Sequence, residues 1–407
     1  MLKSRLCIAF FAFAVGCAPA QKPLTDYVNP MLGTATLWDS VDLGFKPTKR
    51  TWGAEVFPGS SLPNAMVQVS PVTKFHSGAG YQYEDSVIYG FTHTNKGHWN
   101  LCHIPLLPVT GTPTPGDYCS PFSHERESAA PGYYQVFLDR YGVDAQLSST
   151  LRCVFHKYTY PAGAAASLLA DLQRSNEHVR AWDIRKEGDN VFAGWQQTGE
   201  KMYFYAVANR PVTGIEPVVE GDREVRIVRF GEGDGALELR IGFSFVSEKN
   251  ARENLEAEML GKSFAEVRSE ATATWNDLLG RIRVEGGTER EKGLFYSSLY
   301  RSFLWPALRS DVNGEFTDVD GKVINPGFRY YTGPSYWDDY RNKLILLGML
   351  APDVAADVIS SDTDKGEKRG GFMPTFFHGD HASAFVAGTY LRGNRGFDVN
   401  RAYNLVL

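Results

Sequence analysis

The chain has 407 residues, with 42 Lys and Arg against 47 Asp and Glu and a formal net charge of −5. Its charges form no basic stripe and no polybasic cluster, which argues against nucleic acid and polymeric anions as partners. The length exceeds one small core and predicts two or three domains of roughly 100–200 residues.

The N-terminus has the layout of a secretory signal peptide over residues 1–20, because two basic residues precede the apolar run Leu6 to Val15. Ala18 to Ala20 offers an A-x-A cleavage site. Alternatively, Ala14 to Cys17 resembles a bacterial lipobox that would attach a lipid anchor to Cys17. Both interpretations predict export from a bacterial cell, either as a periplasmic or outer-membrane lipoprotein or as a secreted protein.

Residues 21–250 consist of short β-rich runs broken by Gly, Pro and Asn, which is typical of sandwich strands. Several later runs alternate with period two, so that one face of each strand points to solvent. The pattern predicts an antiparallel β-sandwich domain. The clearest runs are Met66–Val69, Tyr134–Leu138, Cys153–Tyr160, Val225–Phe230 and Leu237–Phe243.

Near Ser247 the period changes, and beyond Ser263 apolar residues recur every three and four positions. Residues 251–407 are therefore predicted to form a linker helix and a partial helical domain. The predicted helices cover residues 263–280, 289–304, 336–350, 353–360, 381–392 and 397–406. The last has no stop signal before Leu407, which leads us to expect a truncated domain.

The stretch from Asp362 to Gly371 contains several charges and glycines and is interpreted as a flexible connection. Its carboxylates at Asp362, Asp364 and Glu367 are expected to be solvated.

The clearest chemical motif lies between Gly333 and Leu347, where an indole, two carboxylates and a guanidinium occupy the first turns of a helix. Trp337 and Asp338 lie four and three residues before Arg341, so all three can share one exposed helix end. An indole stacks on a sugar ring, while an acid and an Arg bind its vicinal hydroxyls. The structural alternative is a capping box between Ser335 and Asp338, with the indole in the core.

A second candidate segment, Thr92 to Asn100, is polar, aromatic and glycine-containing. Trp99 is its candidate for stacking on a sugar, and His93 is a further candidate sugar contact. The alternative is a packed loop at a domain interface whose histidines bond to backbone carbonyls.

A series of motifs, in this order and spacing, resembles glycoside hydrolase family 92, the exo-α-mannosidases. The resemblance covers nearly the whole mature chain. It implies a multidomain β + α fold, with an N-terminal antiparallel β-sandwich followed by part of an (α/α)6 toroid. The motifs are Asn29–Thr34, Phe57–Gly59, Met66–Pro71, Tyr89–Thr94, Phe245–Ser247, Phe295–Arg301, Trp337–Arg341, Gly370–Pro374 and Gly379–Ala382.

The resemblance also implies roles for individual residues. Asp338 and Arg341 match the pair that holds the terminal mannose before the scissile bond, with Trp337 adjacent. Residues 31–33 match a segment that reaches from the sandwich into the same pocket, although packing at the domain interface is the alternative. The candidate substrate-binding residues are therefore Asp338, Arg341, Trp337, Trp99, Met31, Gly33 and His93.

The activity implied by the resemblance is calcium-dependent hydrolysis of terminal α-mannosides in mannose-containing glycans, with inversion. Inverting enzymes use two carboxyl groups about 6.5–9.5 Å apart. In the family, the acid, the base and most Ca²⁺ ligands follow the equivalent of Leu407. No catalytic residue or metal ligand is therefore assigned here, and the chain alone is expected to be inactive.

Two other functions remain open. One is a non-catalytic secreted or surface carbohydrate-binding protein, and the other is a different toroid glycosidase. An in-frame continuation of the gene after codon 407 would favour the enzyme, whereas a stop codon with stable expression would favour the binding protein. The sequence gives no indication of the oligomeric state.

Overall fold

Nineteen of the described strands precede the first described α-helix. The computed structural model describes residues 22–36, 44, 56–96, 99–375 and 379–406, so the predicted leader and Cys17 lie outside it. A β region followed by a helical region confirms the predicted fold class. The toroid and the domain boundaries remain predictions.

Two large antiparallel sheets form the β region. The eight-stranded sheet has the order β14-β15-β16-β19-β12-β11-β10-β9, and the seven-stranded sheet has the order β1-β2-β4-β7-β13-β18-β17. The strands are β1 (Ser60–Ser61), β2 (Gln68–Val72), β3 (Val87–Ile88), β4 (Gly90–Thr92), β5 (Asn95–Lys96), β6 (Trp99–Asn100), β7 (Leu106–Val109), β8 (Ser120–Pro121), β9 (Glu127–Ala130), β10 (Tyr133–Leu138), β11 (Val143–Ser149), β12 (Cys153–Thr159), β13 (Ser167–Ala170), β14 (Ala181–Lys186), β15 (Val191–Gln197), β16 (Lys201–Ala208), β17 (Val212–Glu220), β18 (Arg223–Phe230) and β19 (Leu237–Ser244).

Strict alternation explains why the central strands bury one face. In β16 every second residue is buried, and β19 begins with the same alternation before becoming buried on both faces. The two strands are paired in register from Tyr203–Ser244 to Ala208–Leu239. Their inward side chains therefore contribute to one shared apolar layer.

The helical region contains eight described α-helices and a short hairpin. The helices are α1 (Glu248–Glu258), α2 (Phe264–Leu279), α3 (Glu289–Ser302), α4 (Tyr336–Asp339), α5 (Lys343–Leu350), α6 (Pro352–Lys368), α7 (His381–Leu391) and α8 (Val399–Asn404), and the hairpin strands are β20 (Phe316–Thr317) and β21 (Val323–Ile324). Capping boxes at Ser263 and Thr288 start α2 and α3. The predicted helix over 336–350 is interrupted, because Asn342 adopts φ −138° and ψ −77°.

Helix α6 is longer than predicted and includes most of the stretch interpreted as a flexible connection. Asp362 is fully buried, and its carboxylate accepts from the Tyr336 hydroxyl at 2.5 Å and from Lys365 at 2.8 Å. Asp364 is buried and pairs with Lys368 at 2.8 Å. The interpretation as solvated loop charges is therefore wrong for both, because lysines one turn onward pair with them.

One contiguous apolar core runs from the sheets into the helices. Trp275 of α2 is fully buried and donates through Nε1 to the carbonyl of Ser61 at 2.7 Å. The Asn64 amide donates to the carbonyl of Phe303 at 2.6 Å. Buried hydrogen bonds therefore join the β region to the helices and fix their relative position.

Among the described residues, no single helix has the length and apolar character needed to cross a membrane. The three described cysteines, Cys102, Cys119 and Cys153, are free thiols.

Candidate functional site

The motif from Ser335 to Arg341 forms a single exposed helical turn. Trp337 is 45% exposed, so the alternative that it is ordinary core is wrong. The Ser335 hydroxyl donates to the Asp338 carboxylate and makes no capping bond to the helix backbone. The alternative capping box is therefore not formed, and the carboxylate stays at the surface.

Buried contacts beneath this turn fix its position. Tyr336 points inward, and its hydroxyl donates to Asp362. Burial and the neighbouring carboxylate raise the pKa of Tyr336, which keeps its hydroxyl protonated as a donor. Lys365 donates to the same carboxylate and, at 2.9 Å, to the carbonyl of Tyr331. The exposed side chains at 337 and 338 thus stand on a turn anchored to α6.

Arg341 lines a cavity of about 310 Å³ between α5 and α7. Tyr340, also in the lining, stacks on His381 with ring centroids 4.2 Å apart and planes 11° from parallel. Among the described residues Arg341 forms no ion pair with Asp338, although the two lie three positions apart. The full lining is Tyr340, Arg341, Ile345, Ala384, Phe385 and Arg392.

The segment containing Met31 and Gly33 lies between the two regions. Gly33 has φ 85°, a conformation that glycine adopts without a steric cost. The Met31 carbonyl accepts from the amide of Thr34 at 3.1 Å and from its hydroxyl at 2.8 Å. Arg301 of α3 donates to the carbonyl of Pro30 at 3.1 Å. This geometry supports packing at the interface, and contact with a sugar remains a prediction.

Trp99 and His93 differ sharply in exposure. Trp99 is 42% exposed on β6, which pairs with β5, so its indole is accessible from outside the sandwich. His93 is fully buried, with Nε2 3.1 Å from Nε2 of His156 and its ring 4.6 Å from that of Phe243. Burial lowers the pKa of His93 to about 3. The expectation that His93 contacts a sugar is therefore not met, because it has no surface to offer.

Sequence reasoning missed a polar network beside the same hairpin. His103 Nε2 lies 2.8 Å from Glu177 Oε2, and its Nδ1 lies 2.8 Å from the Thr94 hydroxyl. The Thr198 hydroxyl donates to Glu177 at 2.8 Å. These partners come from separate strands and loops, so spacing along the chain gave no signal for them.

The described residues include no group of three or more His, Cys, Asp or Glu side chains arranged to hold a metal ion. Ca²⁺ binds through six to eight oxygen ligands, commonly with several carboxylates. The described residues therefore do not fit Ca²⁺ by themselves.

Family models together match residues 27–407. The glycosyl hydrolase family 92 N-terminal domain matches residues 27–253, and the glycosyl hydrolase family 92 catalytic domain matches residues 250–407. The chain belongs to glycosyl hydrolase family 92.

Solved structures show the same fold. A family GH92 α-mannosidase from Bacteroides thetaiotaomicron superimposes with a TM-score of 0.84 at 26% identity, covering 94% of this chain and 56% of that chain. Its complex with mannoimidazole matches at 27% identity with a TM-score of 0.84, covering 94% and 55%. A GH92 inverting mannosidase from the same organism shares the fold, with a TM-score of 0.80, 23% identity and coverage of 94% and 55%.

An uncharacterized secreted glycosidase from Arthroderma benhamiae is 24% identical over 344 residues, which is 71% of this chain and 42% of that protein. The chain thus spans roughly half the length of the relatives that it matches.

Proposed function

We propose that this chain belongs to an exported exo-α-mannosidase that removes terminal mannose from mannose-containing glycans. The support is membership of family 92, together with the likeness to an α-mannosidase solved with mannoimidazole. The observation that carries the proposal is the anchored turn at residues 336–341, which presents an indole, a carboxylate and a guanidinium to solvent. Export is proposed because the sequence predicts a leader over residues 1–20. Attachment of a lipid anchor to Cys17 is one of the two proposed forms of this export.

The proposed chemistry assigns different tasks to the three side chains. The Trp337 indole offers an apolar face to the C–H groups of a sugar ring. The Asp338 carboxylate accepts hydrogen bonds from sugar hydroxyls, and Arg341 donates to them. These groups bind and orient the sugar.

Inversion and a requirement for Ca²⁺ belong to the same proposal. Inversion needs an acid and a base on opposite faces of the sugar, about 6.5–9.5 Å apart. Because the described residues do not fit Ca²⁺ by themselves, no step of the reaction is assigned to the ion. No acid and base pair is assigned in this chain, and we therefore expect no mannose release by the chain alone.

Non-catalytic carbohydrate binding is the second candidate. It is supported by the exposed side chains of Trp337, Asp338 and Arg341, because a binding protein needs only such sugar-contacting groups. Both candidates require selective binding of mannose-like ligands.

Calorimetric titration of the chain with mannoimidazole and with glucoimidazole, with and without Ca²⁺, tests this proposal. We expect preference for mannoimidazole and at least about 10-fold weaker binding by Asp338→Asn and Arg341→Lys, since each loses a charge-assisted or bidentate hydrogen bond. Arg290→Gln, at an exposed position of α3, is the matched control. Equal affinity for the two imidazoles, or wild-type affinity in both site variants, would contradict the proposal.

Turnover is followed separately by NMR of the released sugar, in which α-mannosides yield β-mannose first if the reaction inverts. Ca²⁺-dependent release by the chain alone would contradict the expected inactivity and support catalysis. We expect selective binding of mannoimidazole and no release of mannose by the chain alone.

A further inference from the structure

The N-terminal segment 22–36 runs along two helices before it reaches the sandwich loops. The Thr25 amide donates to Asn276 of α2 at 3.1 Å, and Tyr27 stacks on Tyr296 of α3 with centroids 5.6 Å apart. The segment is therefore docked on the helical region although it belongs to the β half of the sequence.

One face of α3 contacts the backbone of this segment directly. Ser297 and Arg301 lie four residues apart and so share that face. The Asn29 amide donates to the Ser297 hydroxyl at 2.9 Å. Arg301 donates through Nη2 to the carbonyl of Pro30 at 3.1 Å and also to the carbonyl of Leu32. Three backbone groups within four consecutive residues are thus held by two side chains.

The contacts of Arg301 suit arginine specifically. Within the described ranges no carboxylate forms an ion pair with it, and burial lowers the pKa of Arg301 to about 10. A partly buried cation is costly unless its donors are satisfied. Here backbone carbonyls satisfy them, and the several donors of one planar guanidinium can reach two carbonyls, which a single ammonium does less well.

The sandwich holds the same segment from the opposite side. The Tyr81 hydroxyl donates to the buried Glu127 carboxylate at 3.0 Å and lies 3.9 Å from the Met31 sulfur. The Tyr83 amide donates to the carbonyl of Thr34 at 3.1 Å. Met31 therefore lies between α3, which binds the backbone of the segment, and Tyr81, which contacts the Met31 side chain.

We propose that Arg301 is a positioning residue of the sugar site. By binding the carbonyls of Pro30 and Leu32, it sets the position of Met31 and Gly33, which the resemblance to family 92 predicts to reach the sugar pocket. The inference rests on the proposed function, because the position of the loop affects binding only if the sugar contacts the loop.

Methyl NMR on the whole chain tests this inference, since its 7 methionines give a simple spectrum. With ¹³C-methyl-labelled Met, the Met31 signal is assigned from the variant Met31→Leu. We expect Arg301→Gln to shift or broaden the Met31 signal and to weaken mannoimidazole binding about 10-fold, because a charge-assisted contact to the loop is lost. Arg301→Lys should lie between Arg301→Gln and wild type, and Arg290→Gln should match wild type.

The other described methionines report whether the fold is intact, and they are Met66, Met202, Met259, Met349 and Met373. Should Arg301→Gln disturb all of them, Ser297→Ala replaces it, with a smaller displacement of Met31 expected. An unchanged Met31 signal in Arg301→Gln and Ser297→Ala overturns the inference. A displaced Met31 with unchanged affinity overturns the positioning role.

Failure of the proposed function looks different. If mannoimidazole leaves the wild-type Met31 signal in place while binding is detected, the loop is not part of the sugar site, and the positioning role is contradicted with it. If mannoimidazole does not bind to wild type at all, the proposed sugar site itself is contradicted, whatever Arg301 does to the loop.

Discussion

His93 in the β-sandwich and Asp338 in the helical region are both polar members of motifs that suggest sugar binding. The sandwich seals His93 between two sheets against His156, where no ligand reaches it. The helical region places Asp338 at the surface and buries its support, Tyr336 on Asp362, one layer below. The difference shows that backbone position decides access: a residue inside a sheet is enclosed by the opposite layer, whereas a helix start stays open.

Substitution of the buried support should have the largest effect. Asp362→Ala leaves Lys365 without its counter-charge and the Tyr336 hydroxyl without its acceptor, so we expect the free energy of unfolding to fall by about 3–5 kcal/mol. Urea unfolding followed by circular dichroism measures it. Asp353→Ala, at an exposed position of the same helix, should cost less than about 1 kcal/mol. Equal losses would show that the contacts under the turn contribute little.

Acid should weaken the sandwich through His93. Its folded pKa of about 3 lies below the ordinary 6.5, so the unfolded chain binds a proton that the folded chain excludes. The stability is complete above pH 6.5 and is lost as the pH falls toward 3. From pH 7 to pH 5 this residue alone should lower the free energy of unfolding by about 2 kcal/mol.

His93→Gln should flatten that slope relative to wild type, as read from urea titrations at several pH values. His156, whose pKa burial also lowers, retains a slope of the same sign. An unchanged slope in His93→Gln would mean that the imidazole is not held neutral.

At the junction of the two regions the slope should have the opposite sign. Asp311 is buried and accepts hydrogen bonds from Ser244 and Asn254 at 2.7 Å, while burial raises its pKa from 3.8 to about 6. The folded chain therefore binds the extra proton, and this contribution weakens as the pH rises from about 4 through 6. Between pH 5 and pH 7 the expected loss is about 1 kcal/mol.

Asp311→Asn should remove this term, so its free energy of unfolding should fall less than that of wild type as the pH rises. Titrations in urea across the same pH values measure the difference. A steeper loss in the variant would contradict the raised pKa.

The smallest effect on stability should come from the exposed turn. The Asp338 carboxylate is at the surface and, among the described residues, its only hydrogen-bond partner is Ser335. Asp338→Asn should therefore change the free energy of unfolding by less than about 0.5 kcal/mol. Its mannoimidazole affinity, measured on the same sample, should still fall. A stability loss comparable to that of Asp362→Ala would remove the distinction between exposed site and buried support.

Periodicity was enough to predict the order of β and helical regions, because alternation and helical spacing are local properties of the sequence. It also predicted helices near α2, α3 and α7. It predicted a linker helix at the start of residues 251–407 without giving its bounds, and it interpreted the second half of α6 as a loop. That half contains charged residues, and only the structure shows that Tyr336 and Lys365 donate to the carboxylate of Asp362.

For the candidate site, too, the sequence predicted some features and not others. The spacing of Trp337, Asp338 and Arg341 predicted a shared exposed helix end, and the exposure of all three agrees with it. Spacing could not reveal that Arg341 lines a cavity and forms no ion pair with Asp338, because α4 ends at Asp339 and Arg341 lies beyond it. Nor could it identify Arg301 as a neighbour of residues 30–32, since contacts across some 270 positions leave no local pattern.

The docking of residues 22–36 on α2 and α3 also sets an order of events. The Thr25 amide finds its acceptor on Asn276, 251 positions later, and the Asn29 amide finds Ser297, 268 positions later. During synthesis these two amides have no partner until most of the described chain has emerged. Because such distant contacts form late, the amides of Thr25 and Asn29 should be among the last to become protected from hydrogen exchange.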